Sequence, residues 1–126
     1  MPLDTMTPDP VWDADANAAT VATLADHDDL RYLVWGGDWC PDCRQLLPPF
    51  AAALAAAEVP DERVEQFPVE TEDGRKVGPG VEEYGVEFIP TVVIERDGEE
   101  LFRYVEDEGL PIATYVARVL DGEIEP

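Results

Sequence analysis

Cys40 and Cys43 are the only cysteines of the chain, and they stand where a strand pattern gives way to a helix pattern. Leu33-Val34-Trp35 is a continuous apolar run of the kind that buried strands carry, whereas Cys43, Leu46, Leu47, Phe50 and Leu54 recur at helical spacing. A strand that turns sharply into a helix at this point constrains the whole chain, because such a junction needs a layered arrangement of sheet and helices. It also carries chemistry. Cys40 falls at the start of the helix, where unpaired backbone N–H groups and the positive end of the helix dipole favour a thiolate. Cys43 lies one turn further in, on the apolar face.

The remaining pattern fits that frame. Asp13 to Ala25 predicts a short helix with Ala18, Val21, Leu24 and Ala25 on one face. Arg31 to Gly36 is the first strand. The helix that follows starts with Pro41, tolerated in a first turn. It meets Pro48-Pro49 inside, which predicts a kink or a break before the alanine-rich stretch Ala51 to Ala57. Val64 to Val69 reads as a strand ending early at Pro68, and Glu70 to Gly80 as a loop. Val81 to Tyr84 suits one or two helical turns stopped by Gly85. Phe88 to Ile94 is an apolar strand with Pro90 at its entrance, and Asp97-Gly98 predicts a hairpin into Leu101 to Val105. Ile112, Tyr115, Val116 and Val119 mark a final amphipathic helix. The expected class is α/β, one domain over residues 13–126 behind a loosely packed N-terminal arm, residues 1–12, whose end Trp12 pins to the body. Early strand pairs are expected to be parallel and the last hairpin antiparallel.

Charge limits the partners. The chain carries 29 acidic residues against 8 basic ones, a formal net charge of -21. Such a surface repels nucleic-acid phosphates and anionic lipid, so neither is expected as a partner. The acids are spread along the whole chain, which points to adaptation to a very salty cytoplasm over a single docking patch for a basic partner. The N-terminus shows neither a basic region nor an apolar run, so a cytoplasmic protein without signal or anchor is expected. In that compartment a lone Cys-x-x-Cys is more often redox-active than structural. His27, the only histidine, has no neighbouring ligand pattern and is expected to be exposed and non-functional.

Taken together, Trp39-Cys40-Pro41-Asp42-Cys43, the proline at position 48, Tyr84-Gly85-Val86, Ile89-Pro90-Thr91 and Asp97-Gly98-Glu99 resemble the thioredoxin family over about residues 31–120. The resemblance implies a thioredoxin fold, with a central mixed sheet of about four strands flanked by helices on both faces. It implies a cis Ile89–Pro90 bond facing the cysteines, with the Ile89 backbone pairing to a bound substrate chain. The Pro41-Asp42 dipeptide is similar to that of thioredoxin-related proteins with a WCPDC site, a branch not confined to general protein-disulfide substrates. Three departures stand out. Val34 occupies the place of the family's buried aspartate, the proton acceptor for the second thiol; Glu65, Gln66 and Phe67 occupy the region of its partner lysine; and a groove-lining glycine is replaced around Glu106. Proton removal from Cys43 is then left to water, the leaving thiolate, Asp42 or Asp38.

The function expected is thiol-disulfide exchange: Cys40 attacks a substrate disulfide and Cys43 resolves the mixed disulfide. Trp39, Pro41, Asp42, Ile89 and Pro90 are the expected substrate contacts, while Trp35 belongs to the core. No cofactor beyond the Cys40–Cys43 disulfide and no metal is expected. The partners expected are disulfide-containing proteins or small molecules, and a disulfide reductase or low-molecular-weight thiol as electron donor, with the chain a monomer. Two alternatives stay open, a non-catalytic binding module with an idle disulfide and a dimer sharing a metal through the Cys-x-x-Cys thiols.

Overall fold

The computed structural model describes residues 3–106 and 108–126. Its elements are α1 (Ala18–Asp26), β1 (Leu30–Gly36), α2 (Pro41–Ala56), β2 (Val64–Pro68), β3 (Glu70–Glu72), β4 (Arg75–Val77), β5 (Thr91–Arg96), β6 (Glu99–Val105) and α3 (Ile112–Leu120). The main sheet has the order β2-β1-β5-β6. β1 runs parallel to β2 and antiparallel to β5, and β5 runs antiparallel to β6. This is the mixed four-stranded sheet of the thioredoxin fold.

β1 is central, which is why its apolar run continues without alternation: both of its faces are covered. Tyr32 meets Phe50 of α2 edge-on at 5.9 Å between ring centroids. On the other face Trp35 stacks on Phe67 at 4.7 Å and leans on Tyr84 at 4.9 Å, with its indole N–H donated to the Pro79 carbonyl at 2.8 Å. The three helices α1, α2 and α3 contact one another. Cover on the Trp35 face comes from the segment through Gly80–Gly85, one helical turn closed by the Tyr84 N–H on the Gly80 carbonyl at 3.0 Å. Gly85, at φ 64, ends it as the glycine signal predicted.

Several local expectations are corrected. Of the kink or break expected at Pro48-Pro49, the break does not occur: α2 runs continuously from Pro41 to Ala56. An internal proline costs a helix about 3 kcal/mol or more. Here Leu47, Phe50, Ala53 and Leu54 are all buried, and their burial outweighs the lost backbone bonds. α1 begins at Ala18, five residues later than expected, because Asp13 folds back locally to cap the Ala16 amide at 3.1 Å. The strand expected from Phe88 begins only at Thr91, after the Ile89–Pro90 bond. The loop expected over 70–80 contains a small hairpin, β3–β4, turning at Asp73 and Gly74 with φ 53 and 78. That is the same left-handed pair seen at Asp97 and Gly98, with φ 54 and 82.

Within the N-terminal arm, Leu3–Met6 is packed down, whereas Val11 stays 85% exposed. Leu3 and Thr5 are buried, and Asp4–Met6 forms a 3-10 turn against α2. The Asp9 amide donates to the Pro48 carbonyl at 3.1 Å.

Candidate active site

Cys40 is the N-cap of α2, with extended backbone angles of φ -87 and ψ 122, and Pro41 and Asp42 begin the helix exposed to solvent. The Cys40 amide donates to the Gly37 carbonyl at 3.0 Å, and the Arg44 amide closes the first helical turn on the Cys40 carbonyl at 3.0 Å. These two bonds fix the thiol at the top of the sheet. Its sulphur lies 4.0 Å from the Ile89 carbonyl oxygen. The Ile89–Pro90 bond is cis, and both residues are buried beside the cysteines. The Pro90 carbonyl accepts the Glu106 amide at 2.7 Å, tying the end of β6 to this loop.

Cys43 is fully buried, and both thiols are unbridged. Burial pushes the Cys43 thiol up to about 12; the Gly37 amide, 3.5 Å from its sulphur, pulls the other way, while Cys40 and Asp42 add to the rise. Both cysteines are buried, but they differ in surroundings: Cys40, 7% exposed, caps the helix beside the Ile89 carbonyl, and Cys43, wholly enclosed, lies one turn further in.

Two glycines make that packing possible. A Cβ on Gly36 would lie 2.9 Å from Leu47 Cδ1, 3.3 Å from Leu3 Cδ1 and 3.5 Å from Cys43 Sγ. A Cβ on Gly37 would lie 2.6 Å from the Trp39 indole nitrogen. Trp39 therefore folds over Gly37, donates its N–H to the Val69 carbonyl at 2.9 Å, and keeps 44% of its surface exposed next to Cys40. Phe88, two residues before Pro90, is 50% exposed.

Among the carboxylates near the thiols, Asp38 is not a free base. Its two oxygens accept the Asp4 and Thr5 amides at 3.1 and 3.0 Å. Burial pulls this carboxyl upward, but those amides, with the Arg44 guanidinium nearby, outweigh it and hold it below the usual carboxylate range. Arg44 itself donates to the Asp38 carbonyl at 2.8 Å. Val34 is fully buried opposite Gln66 of β2, whose amide oxygen accepts the Leu3 N–H at 2.7 Å. Glu106 adopts a left-handed φ of 58 at the position where the resemblance implied a glycine.

The structure thus brings Cys40, Cys43, Trp39, Pro41, Ile89 and Pro90 to one end of the sheet, with Asp42 exposed to solvent beside them. Sequence reasoning missed the clearance role of Gly36 and Gly37 and the tie between Asp38 and the N-terminal segment. The adjacent glycines before Trp39 were the available signal for the first; no local pattern announces the second. His27, expected to be exposed, is half-buried and sits apart from the thiols, with its Nδ1 3.3 Å from Arg96. Among the described residues no group of three or more His, Cys, Asp or Glu side chains is placed to hold a metal, and no helix is long and apolar enough to cross a membrane.

Comparison with known proteins gives the same picture. A point mutant of the thioredoxin of Halobacterium salinarum is 26% identical, with a TM-score of 0.52 over 83% of this chain and 82% of that one. Mitochondrial thioredoxin 3 of Saccharomyces cerevisiae is 18% identical, with a TM-score of 0.52 over 79% and 83%. Thioredoxin f2, in a complex with ferredoxin:thioredoxin reductase, is 15% identical, with a TM-score of 0.52 over 92% and 89%. No curated protein sequence matches the chain. The thioredoxin family model matches residues 15–117, and the chain belongs to the thioredoxin family.

Proposed function

We propose that this protein is a thiol-disulfide oxidoreductase acting as a cytosolic reductase. The observation that carries the reading is the placement of the two thiols: Cys40 at a helix N-cap, 7% exposed and 4.0 Å from the Ile89 carbonyl, and Cys43 one turn further into the helix and fully buried. In the reaction the Cys40 thiolate attacks one sulphur of a substrate disulfide, and the other sulphur leaves with the electron pair and takes up a proton. Cys43 then loses its proton, attacks Cys40, and releases the second substrate thiol; the Cys40–Cys43 disulfide holds the two electrons' worth of oxidation. With Val34 in place of a carboxylate and Asp38 engaged by two amides, the proton of Cys43 goes to water, to the departing substrate sulphur or to Asp42. The redox group is the cysteine pair itself.

Substrate contacts fall to Trp39, Pro41, Asp42, Ile89 and Pro90. A flavoprotein disulfide reductase or a low-molecular-weight thiol returns the pair to the dithiol, and the working unit is the monomer. The net charge of -21 and the similarity to a Halobacterium thioredoxin support a working environment of molar salt. The test is turnover of insulin and of cystine by the pre-reduced protein in molar KCl. Turnover that disappears in Cys40→Ser supports the reading; absent turnover with wild-type protein at full thiol content removes it.

A further inference from the structure

The N-terminal segment packs against Gly36, the same glycine that the second thiol packs against. Leu3 is 4% exposed, and its Cδ1 and the Cys43 sulphur converge on the bare Cα of Gly36, 3.3 and 3.5 Å from where a Cβ would stand. The segment is held there by named bonds. The Leu3 amide donates to Gln66 Oε1 at 2.7 Å, the Asp4 amide to Asp38 Oδ2 at 3.1 Å, and the Thr5 amide to Asp38 Oδ1 at 3.0 Å. Asp38 lies two residues before Cys40, so the same short stretch carries the nucleophile and the clamp. Both Asp38 and Gln66 are only partly buried, so water competes for these bonds and the clamp can open locally without unfolding the core.

We propose that Leu3–Met6, docked through Asp38, is a latch that keeps water from Cys43, and that Asp38 is a positioning residue for the resolving half of the reaction. The inference rests on the disulfide-exchange reading above for its purpose, but its physical content is access to one sulphur. While the latch is closed, Leu3, Gly36, Gly37 and Cys40 shut Cys43 in; when it opens, the thiol gains a water molecule to take its proton. Resolution of the mixed disulfide is then gated by the segment, and a partner that pulls on the N-terminus speeds release of the first substrate.

The experiment follows alkylation of Cys43 by iodoacetamide in a Cys40→Ser background, at mildly alkaline pH and molar KCl, read by mass spectrometry. Asp38→Ala removes both acceptors and is expected to raise the rate about tenfold, the scale of one or two lost charge-assisted bonds. Asp38→Asn keeps one carbonyl acceptor and should restore most of the slow rate. Asp4→Pro deletes a single amide donor and leaves Asp38 and Trp39 untouched. Leu3 already has the extended angles, φ -78 and ψ 132, that a following proline demands, so this variant folds even if Asp38→Ala does not. It is expected to raise the rate about threefold, the scale of one net hydrogen bond. Rates within error of the parent for Asp4→Pro and for folded Asp38→Ala overturn the latch. Insulin reduction by the same substitutions in the two-cysteine protein separates the two ideas: faster alkylation with no turnover in any form keeps the latch and removes the enzyme, whereas normal turnover with unchanged alkylation removes the latch alone.

Discussion

The Cys40 sulphur and the Ile89 carbonyl oxygen face each other at 4.0 Å, across the gap between the start of α2 and the loop that enters β5. On the disulfide-exchange reading, a substrate sulphur that reaches Cys40 passes alongside the Ile89 backbone. Trp39, the residue before Cys40, is 44% exposed. Geometry of this kind orients an extended chain more than it orients a small disulfide.

Trp39 is accordingly expected to matter for large substrates. Truncating Trp39→Ala removes an exposed aromatic anchor and leaves Cys40 in place. We expect kcat/KM for insulin to fall about 5- to 30-fold, the effect of about 1–2 kcal/mol at a contact of this type, with a smaller fall for cystine. Equal losses on both substrates would place the effect in the thiol chemistry instead of in docking.

Glycine at position 37 is required by the same tryptophan. With a Cβ 2.6 Å from the indole nitrogen and 3.1 Å from the Val69 carbonyl, Gly37→Ala forces Trp39 out of its seat. Overpacking of this kind costs about 1–3 kcal/mol. Chemical denaturation reads the loss, and a shifted tryptophan emission reports the displaced ring.

Alkaline pH should weaken the fold. Cys43 and Tyr32 are both pushed up to about 12 by burial, from ordinary values of 9.0 and 10.0. The folded state therefore keeps these protons where the unfolded chain has released them. Their contribution is complete below about pH 9 and is lost as pH climbs toward 12. Denaturation midpoints measured from pH 8 upward in Cys43→Ser should fall less steeply than in the wild type; parallel curves would contradict the assignment.

Salt should act in the opposite sense. The described residues hold three ion pairs, Arg31–Glu65, Arg96–Asp29 and Arg103–Glu100, against a net charge of -21. Repulsion among unpaired carboxylates dominates in dilute buffer, and at about 1 M salt the screening length falls to about 3 Å. The melting temperature should rise strongly from dilute to molar KCl. A flat profile would remove the salt-adaptation reading.

The sequence made some of this legible and hid the rest for physical reasons. Periodicity and turn residues are local, so β1, α2, α3 and the Asp97-Gly98 hairpin could be read directly. Asp73-Gly74 carries the same turn signal, yet the strands it joins, β3 and β4, are three residues each, too short for alternation to appear. α2 survived Pro48-Pro49 because the burial that stabilises it comes from β1 and from the N-terminal segment, neither of which is local. In the site, the thiols and Pro90 were visible as motif, whereas the clamp from Asp38 to Asp4 and Thr5 joins residues 34 and 33 positions apart and leaves no pattern. The buried Leu3 read as part of a loosely packed arm for the same reason.

Trapping measures the central claim most directly. Reduced Cys43→Ser protein is mixed with oxidised insulin in molar KCl, and the covalent adduct is mapped by peptide mass spectrometry. A mixed disulfide accumulating on Cys40, with Cys40→Ser forming none through Cys43, is the predicted result. Adducts on Cys43 in Cys40→Ser and none on Cys40 would contradict it, because the buried thiol would then be the nucleophile.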